Sequence, residues 1–234
     1  QYAAHRGNSI DSLRARVSAT ITPGTKTELD QHQTTHYCVA DKFGNVVSVT
    51  TTLNGLYGCK TVVDGAGFLL NNEMDDFVSK PGMPNMYGLV GGDANAIEPN
   101  KRMLSSMTPT IVLKDGKPFL TVGGRGGSRI TTAVATIIIN VIDFGMNIQE
   151  AGDAPRIAHT GSSEPTGERM TDGGIIQLES GFPHESIREL MKMGHTIQFD
   201  LTGYGGYQAI KYDVVNNVFY GASESRKDGQ AAGY

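Results

Sequence analysis

The chain has 234 residues, 38% of them hydrophobic and 19% charged, proportions of a globular protein with room for one substantial core. A formal net charge of -4 without any long basic block argues against nucleic acid or an anionic membrane surface as partner. No segment approaches the ~20 apolar residues that span a bilayer, and no charged start followed by an apolar stretch opens the sequence.

Residues 1–33 are polar, with a short helical candidate over Ser9–Val17, and read as a tether leading into the domain. Alternating apolar residues over Thr35–Ala40 and Val46–Leu53 flank Asp41-Lys42-Phe43-Gly44-Asn45, which predicts a hairpin that Thr34 opens and Thr52 closes. The stretch from Lys80 to Asn100 carries Pro81-Gly82, Pro84, Gly91-Gly92 and Pro99 without periodicity, the pattern of a functional loop. A second hairpin is expected where Thr110–Leu113 and Pro118–Val122 flank Lys114-Asp115-Gly116-Lys117.

After Gly123-Gly124-Arg125-Gly126-Gly127-Ser128, the apolar run Ile130–Phe144 predicts a well-buried helix. Shorter helices are expected over Glu150–Ala154 and over His184–Met193, the latter with Ile187, Leu190 and Met191 on one face and Gly194 as its stop. Gln208–Asp213 and Val218–Gly221 turn at Asn216-Asn217 as a third hairpin. With 30 glycines and 9 prolines clustered between β-branched runs, the order of elements predicts antiparallel sheet covered by helices rather than alternating βαβ units.

The chemistry concentrates in few places. A threonine hydroxyl is too weakly acidic to attack an amide unaided, but cleavage of the Gln33–Thr34 bond would give Thr34 a free α-amine, with pKa near 7.7 to 8.0, as its own base. By residue type alone Asn71–Asp76, with Glu73 and Asp76, reads as a solvated acidic turn, and Ser105-Ser106 as ordinary turn serines. Gly126 and Gly127 place unhindered N–H groups before a helix start, where developing negative charge is stabilised; a phosphate loop would need a Lys-Ser/Thr pair that this string lacks.

Two cysteines, Cys38 and Cys59, are too few for a disulfide framework or a multi-cysteine zinc site, although a bridge between them stays open. The histidines His5, His32, His36, His159, His184 and His195 form no ligand pair and no HExxH pattern, so neither metal nor cofactor is implied.

The blocks TTHYCVADKFGN, TTTLN, LLNNEMDDF, YGLVGGDAN, PNKRMLSSMTPTIVLKDG, GGRGGSRI and the terminal AAGY resemble, in order and spacing, the small subunit of γ-glutamyltranspeptidases. The resemblance implies an α+β fold, the four-layer αββα sandwich of N-terminal nucleophile hydrolases. Residues 1–33 then correspond to the tail of the large subunit before the autocleavage site, and residues 34–234 to the small-subunit catalytic domain. Thr34 is implied as nucleophile, both toward the Gln33 carbonyl in the precursor and toward the donor. Thr52 is implied to hydrogen-bond the Thr34 hydroxyl, and Asn54 to contact the donor's α-carboxylate or neighbouring backbone. Glu73 and Asp76 are implied to bind its α-ammonium, Ser105 and Ser106 its α-carboxylate, and the Gly126 and Gly127 amides the oxyanion.

The implied activity is transfer and hydrolysis of γ-glutamyl groups from glutathione and similar donors to water, an amino acid or a peptide. The implied partner is the large subunit of the same precursor, and the implied location is outside the cytoplasm. A related acylase, a poly-γ-glutamate hydrolase or transferase, and an unprocessed inactive form are the alternatives. The chain departs from the family pattern at Arg125, where a small residue or proline is expected. It also offers no position for the large-subunit arginine that grips the glutamyl carboxylate.

Overall fold

A computed structural model describes residues 34–87, 89, 91–159, 175–199 and 205–234. The helical candidate Ser9–Val17 and Gln33 lie outside the described residues.

Strands β1 (Thr34–Ala40) and β2 (Val46–Thr52) form an antiparallel ribbon. Asp41 closes its turn by accepting from the Phe43 and Asn45 amides, while Gly44 takes φ 86°, a value that favours glycine. Strands β3 (Thr110–Lys114), β4 (Lys117–Arg125), β8 (Gly206–Asp213) and β9 (Val218–Ser223) form a four-stranded antiparallel sheet in the order β3-β4-β8-β9. The second and third hairpins thus stand as expected, and β4 runs on to Arg125, three residues past the predicted end at Val122.

Helices α1 (Ile130–Ile142) and α2 (Ile148–Asp153) cover one face of this sheet. Ile130, Val134, Ile137 and Val141 of α1 meet Leu120 and Val122 of β4 and Tyr207 and Ala209 of β8 in the main core. The expectation of a well-buried helix is corrected here: Ile139, Ile142 and the following Phe144 are 45%, 53% and 70% exposed, because α1 has one covered face and one open face. Helix α2 starts two residues earlier than expected, at a capping box in which Asn147 accepts from the Glu150 amide and the Glu150 carboxylate accepts from the Asn147 amide.

The ribbon lies on the opposite face of the four-stranded sheet. Ser48 donates its hydroxyl to the Val122 carbonyl, and the Cys38 thiol donates to the Gln208 carbonyl. The alternation is inverted from the usual one: Thr34 and His36 are buried on the sheet side, while Tyr37, Val39 and Val47 are 47%, 52% and 48% exposed. The two cysteines do not pair; Cys38 is half-buried against β8 and Cys59 is exposed in a separate loop.

A third sheet was not expected. Strands β5 (Ile157–His159), β6 (Ile175–Leu178) and β7 (Thr196–Phe199) pair in that order, β5 antiparallel and β7 parallel to β6. Helix α3 (His184–Lys192) joins the parallel pair, so one βαβ unit departs from the all-antiparallel expectation. Ile187 packs on Ile176 and Leu178, Gly194 ends the helix at φ 93°, and Met191, expected on the packed face, is 58% exposed.

Mixed helices and antiparallel sheets give the α+β class expected, and the described residues supply a helix layer, a sheet layer and the ribbon layer of the sandwich.

Candidate active site

Thr34 opens β1 in register with Thr52, the last residue of β2. Thr34 is 5% exposed, and its hydroxyl donates to Thr52 Oγ1 across 3.0 Å. Thr52 Oγ1 also accepts from the Asn54 amide at 2.8 Å. Asn54 is held at φ 68°, a left-handed conformation that asparagine tolerates better than most residues. It is 3% exposed, and its side-chain amide donates to the Asn72 carbonyl at 3.2 Å.

Asn72 leads into a single 3-10 turn, Glu73–Asp76, which is how two carboxylates three apart in sequence come to face each other. Burial, then the negative charge and hydrogen bond of Asp76, push the Glu73 carboxyl up to about 7. Burial and then the charge of Asp75 raise Asp76, while its bond to Glu73 lowers it. Glu73 Oε1 is buried without a hydrogen-bond partner among the described residues.

Tyr87, in the segment after Lys80, donates its hydroxyl to the Asn54 carbonyl at 2.9 Å. Burial and then the charges of Asp76, Glu73 and Asp75 push its phenol up to about 12, so it stays a donor. Asp76 and Ser106 line a cavity of about 100 Å³ with Phe77, Met83, Leu89 and Leu104. Ser105 does not line it, and its hydroxyl oxygen accepts from the Met107 amide at 3.2 Å.

Gly126, at φ 144°, precedes a 3-10 turn over Gly127–Arg129 that runs into α1, so the glycine pair stands at the start of a helical segment as expected. Thr131 of α1 donates to the Ser106 carbonyl at 3.3 Å and ties that helix start to the serine pair. Arg125 stands opposite Gly206 in the ladder, and its side chain lies over that glycine.

One layer below the Thr34–Thr52 pair, His36 pairs with Thr50 at 2.8 Å through Nδ1 and with Cys38 Sγ at 3.2 Å through Nε2. Burial pushes this imidazole down to about 4 and the Cys38 thiol up to about 11, leaving both neutral near pH 7. The ring fits because β4 carries Gly123 beneath it; a Cβ there would stand 2.2 Å from His36 Cε1.

The hydrogen bonds therefore connect Thr34, Thr52, Asn54, Asn72 and, through the turn, Glu73 and Asp76. Sequence reasoning gave no role to His36, Asn72 or Tyr87. The available signal was their presence inside the same blocks as Thr34, Glu73 and Gly91-Gly92, but asparagine and tyrosine in loops are too common to single out.

The sequence profile described as Gamma-glutamyltranspeptidase matches residues 1–234. The chain belongs to the gamma-glutamyltranspeptidase family. It is 45% identical to the glutathione hydrolase proenzyme of Escherichia coli (strain K12), over 100% of this chain and 38% of that protein. It is 53% identical to the glutathione hydrolase proenzyme of Pseudomonas sp. (strain A14), over 70% of this chain and 28% of that protein. The chain thus spans well under half the length of these curated relatives. A crystal structure of a Helicobacter pylori gamma-glutamyltranspeptidase mutant superposes with a TM-score of 0.73 at 52% identity, covering 82% of this chain and 100% of that one. The gamma-glutamyltranspeptidase fold, of the N-terminal nucleophile hydrolase type, is the fold of this chain.

Proposed function

We propose that residues 34–234 are the catalytic small subunit of an enzyme that transfers and hydrolyses γ-glutamyl groups, with glutathione as a donor, and that residues 1–33 end its large subunit. The observation that carries this reading is the buried, unsatisfied Glu73 Oε1 beside Asp76, on the same hydrogen-bonded path as the Thr34 hydroxyl. A buried carboxylate oxygen without a donor costs about 1–3 kcal/mol, and the α-ammonium of a donor would satisfy it.

In the precursor, Thr34 Oγ attacks the Gln33 carbonyl and the peptide nitrogen leaves as the Thr34 amine. Water then opens the resulting ester. The freed amine takes the Thr34 hydroxyl proton while Oγ adds to the donor's γ-carbonyl. The Gly126 and Gly127 amides face the oxyanion, and the amine returns its proton to the departing amino group. Water or an acceptor amine then attacks the γ-glutamyl ester by the same steps in reverse. Thr52, positioned to accept from the Thr34 hydroxyl, fixes its direction of attack.

Glu73 and Asp76 hold the donor's ammonium, Ser106 and Ser105 its carboxylate, and Asn54 connects this pocket to the nucleophile. The large subunit of the same precursor completes the enzyme, a reading supported by the exposed apolar face of the ribbon at Tyr37, Val39 and Val47. An extracytoplasmic location belongs to the same proposal and rests on family resemblance.

The test is turnover of γ-glutamyl-p-nitroanilide by the full-length protein, together with intact-mass analysis. Cleavage after Gln33 and activity abolished by Thr34→Ala are expected. A glutaryl anilide, which lacks the ammonium, should react on the order of 100-fold or more slowly. Cleaved protein that turns over neither compound, or prefers the glutaryl one, overturns the reading.

A further inference from the structure

Asn72 uses all four of its hydrogen-bonding groups on different neighbours. Its backbone N–H donates to the Leu53 carbonyl at 3.2 Å. Its carbonyl accepts from the Asn54 side chain at 3.2 Å and from the Asp75 amide at 3.2 Å. Its Oδ1 accepts from the Gly55 amide at 2.8 Å, and its Nδ2 reaches Met86 Sδ at 3.7 Å.

An asparagine at the start of a helical turn ordinarily spends its side chain on that turn's own amides. Asn72 makes no such bond. Asn71 does the capping instead, its Oδ1 accepting from the Glu73 amide at 3.0 Å, which leaves the Asn72 side chain to cross to Gly55. The approach is close because residue 55 has no Cβ: a methyl there would stand 3.2 Å from Asn72 Oδ1 and 3.3 Å from Met86 Cε. On one side of this junction lie Thr52 and, through it, the nucleophile; on the other lie Glu73 and Asp76.

We infer that Asn72 is a positioning residue that fixes the distance between the ammonium-binding carboxylates and the Thr34 hydroxyl, and so selects donors by the number of methylenes between ammonium and scissile carbonyl. The inference rests on the function proposed above. A γ-glutamyl group has two methylenes between its α-carbon and that carbonyl, and a β-aspartyl group one. A rigid junction distinguishes them because the ammonium and the carbonyl must both be seated for attack. Asn72 touches neither, so it acts through Gly55, Asn54 and the turn that follows it.

The test compares Asn72→Ala, Asn72→Asp and Gly55→Ala in the full-length processed protein, using the γ-glutamyl and β-aspartyl p-nitroanilides. Asn72→Ala should raise KM for the γ-glutamyl compound about tenfold with kcat within about threefold, and should shrink the preference over the β-aspartyl compound by a similar factor. Asn72→Asp keeps the acceptor for the Gly55 amide and should retain most of the preference. Gly55→Ala deletes no hydrogen bond but presses on the same contact, and should reduce the preference in the same direction; it decides the matter if Asn72→Ala is not recovered folded. A preference unchanged in the variants, or a fall in kcat with KM and preference intact, overturns the inference. Wild-type turnover is measured first and tests the proposed function separately. If the wild type turns over neither anilide, amide hydrogen exchange at Gly55 decides, since that amide loses its Oδ1 acceptor in Asn72→Ala and should lose protection, and unchanged protection overturns the junction itself.

Discussion

Thr34 and Thr52 are partners across the β1–β2 ladder, and the hydroxyl of the first donates to the hydroxyl of the second at 3.0 Å. Replacing Thr52 by valine keeps the β-branched shape and deletes the acceptor. The expected result, on the proposed function, is a kcat lower by about one to two orders of magnitude, KM within about threefold, and slower self-cleavage, since the proposal gives the same hydroxyl the attack on Gln33. Thr52→Ser should retain most of the activity. Steady-state kinetics together with timed mass spectra of the maturing protein measure both effects.

On the proposed function, the Glu73 carboxyl, raised to about 7, should make donor binding pH-dependent. Below that value Glu73 carries its proton and faces an ammonium without charge, so donor affinity should fall as pH drops through 7. Binding near pH 6–7 should release protons, read as a difference in calorimetric enthalpy between buffers of different ionisation enthalpy. Stability of the unliganded protein runs the other way. A carboxyl raised in the folded state contributes stability below its unfolded value and loses it as pH rises through about 7. Glu73→Gln should remove that loss while abolishing tight donor binding.

Histidine 36 has the opposite dependence. Held down to about 4 by burial, it contributes stability above the unfolded value of 6.5, and that contribution is lost as pH falls from 6.5 toward 4. Its size is about 2–3 kcal/mol. Thermal unfolding of the wild type between pH 4 and 7 should show the acid loss, and His36→Phe, which cannot be protonated, should flatten it.

Gly123→Ala should displace the ribbon from the sheet, because its methyl would stand 2.2 Å from His36 Cε1. A cost of about 1–3 kcal/mol is expected, with a fall in kcat since β4 also leads to Gly126 and Gly127. Combining Gly123→Ala with His36→Ala should cost less than the sum of the two single changes, a coupling that denaturant unfolding of the four proteins measures.

Glu224 accepts from Arg156 at 2.6 Å with both side chains almost wholly buried, and from Arg226 at 2.7 Å. Arg226 also bonds Glu179 at 2.8 Å, so the chain after β9 is clamped to α2 and to the end of β6. Glu224→Ala would leave Arg156 buried without its carboxylate, at about 3–5 kcal/mol, which lowers Tm by roughly 10 °C for a domain of this size. Glu224→Gln should cost less. Differential scanning calorimetry of the processed protein checks the order.

The three hairpins were legible because each turn is local: Asp41 to Asn45, Lys114 to Lys117 and Asn216-Asn217 carry their own bonding or left-handed residues. The β5-β6-β7 sheet was not, since its strands are 3 and 4 residues long and pair with residues far along the chain. Among the candidate site residues, Thr34 was singled out by its chemistry, and Thr52, Glu73 and Asp76 by the family resemblance of their blocks. Asn72, Tyr87 and His36 were missed because their roles lie in which distant group each one meets.

The sequence by itself determined the family, and through it the candidate nucleophile, carboxylate pair and glycine pair, because a family match depends on residue type and order. It could not determine which face of the ribbon points inward. Alternation in β1 and β2 is equally compatible with burying Tyr37, Val39 and Val47 or with burying Thr34, His36 and Cys38, and hydrophobicity alone favours the first. The tertiary structure chose the second, because Gly123 opens room for the imidazole and the Val122 and Gln208 carbonyls accept from Ser48 and Cys38. That choice puts the hydrogen-bonded Thr34 and Thr52 hydroxyls on the sheet-facing side of the ribbon, which no periodicity in the chain specifies.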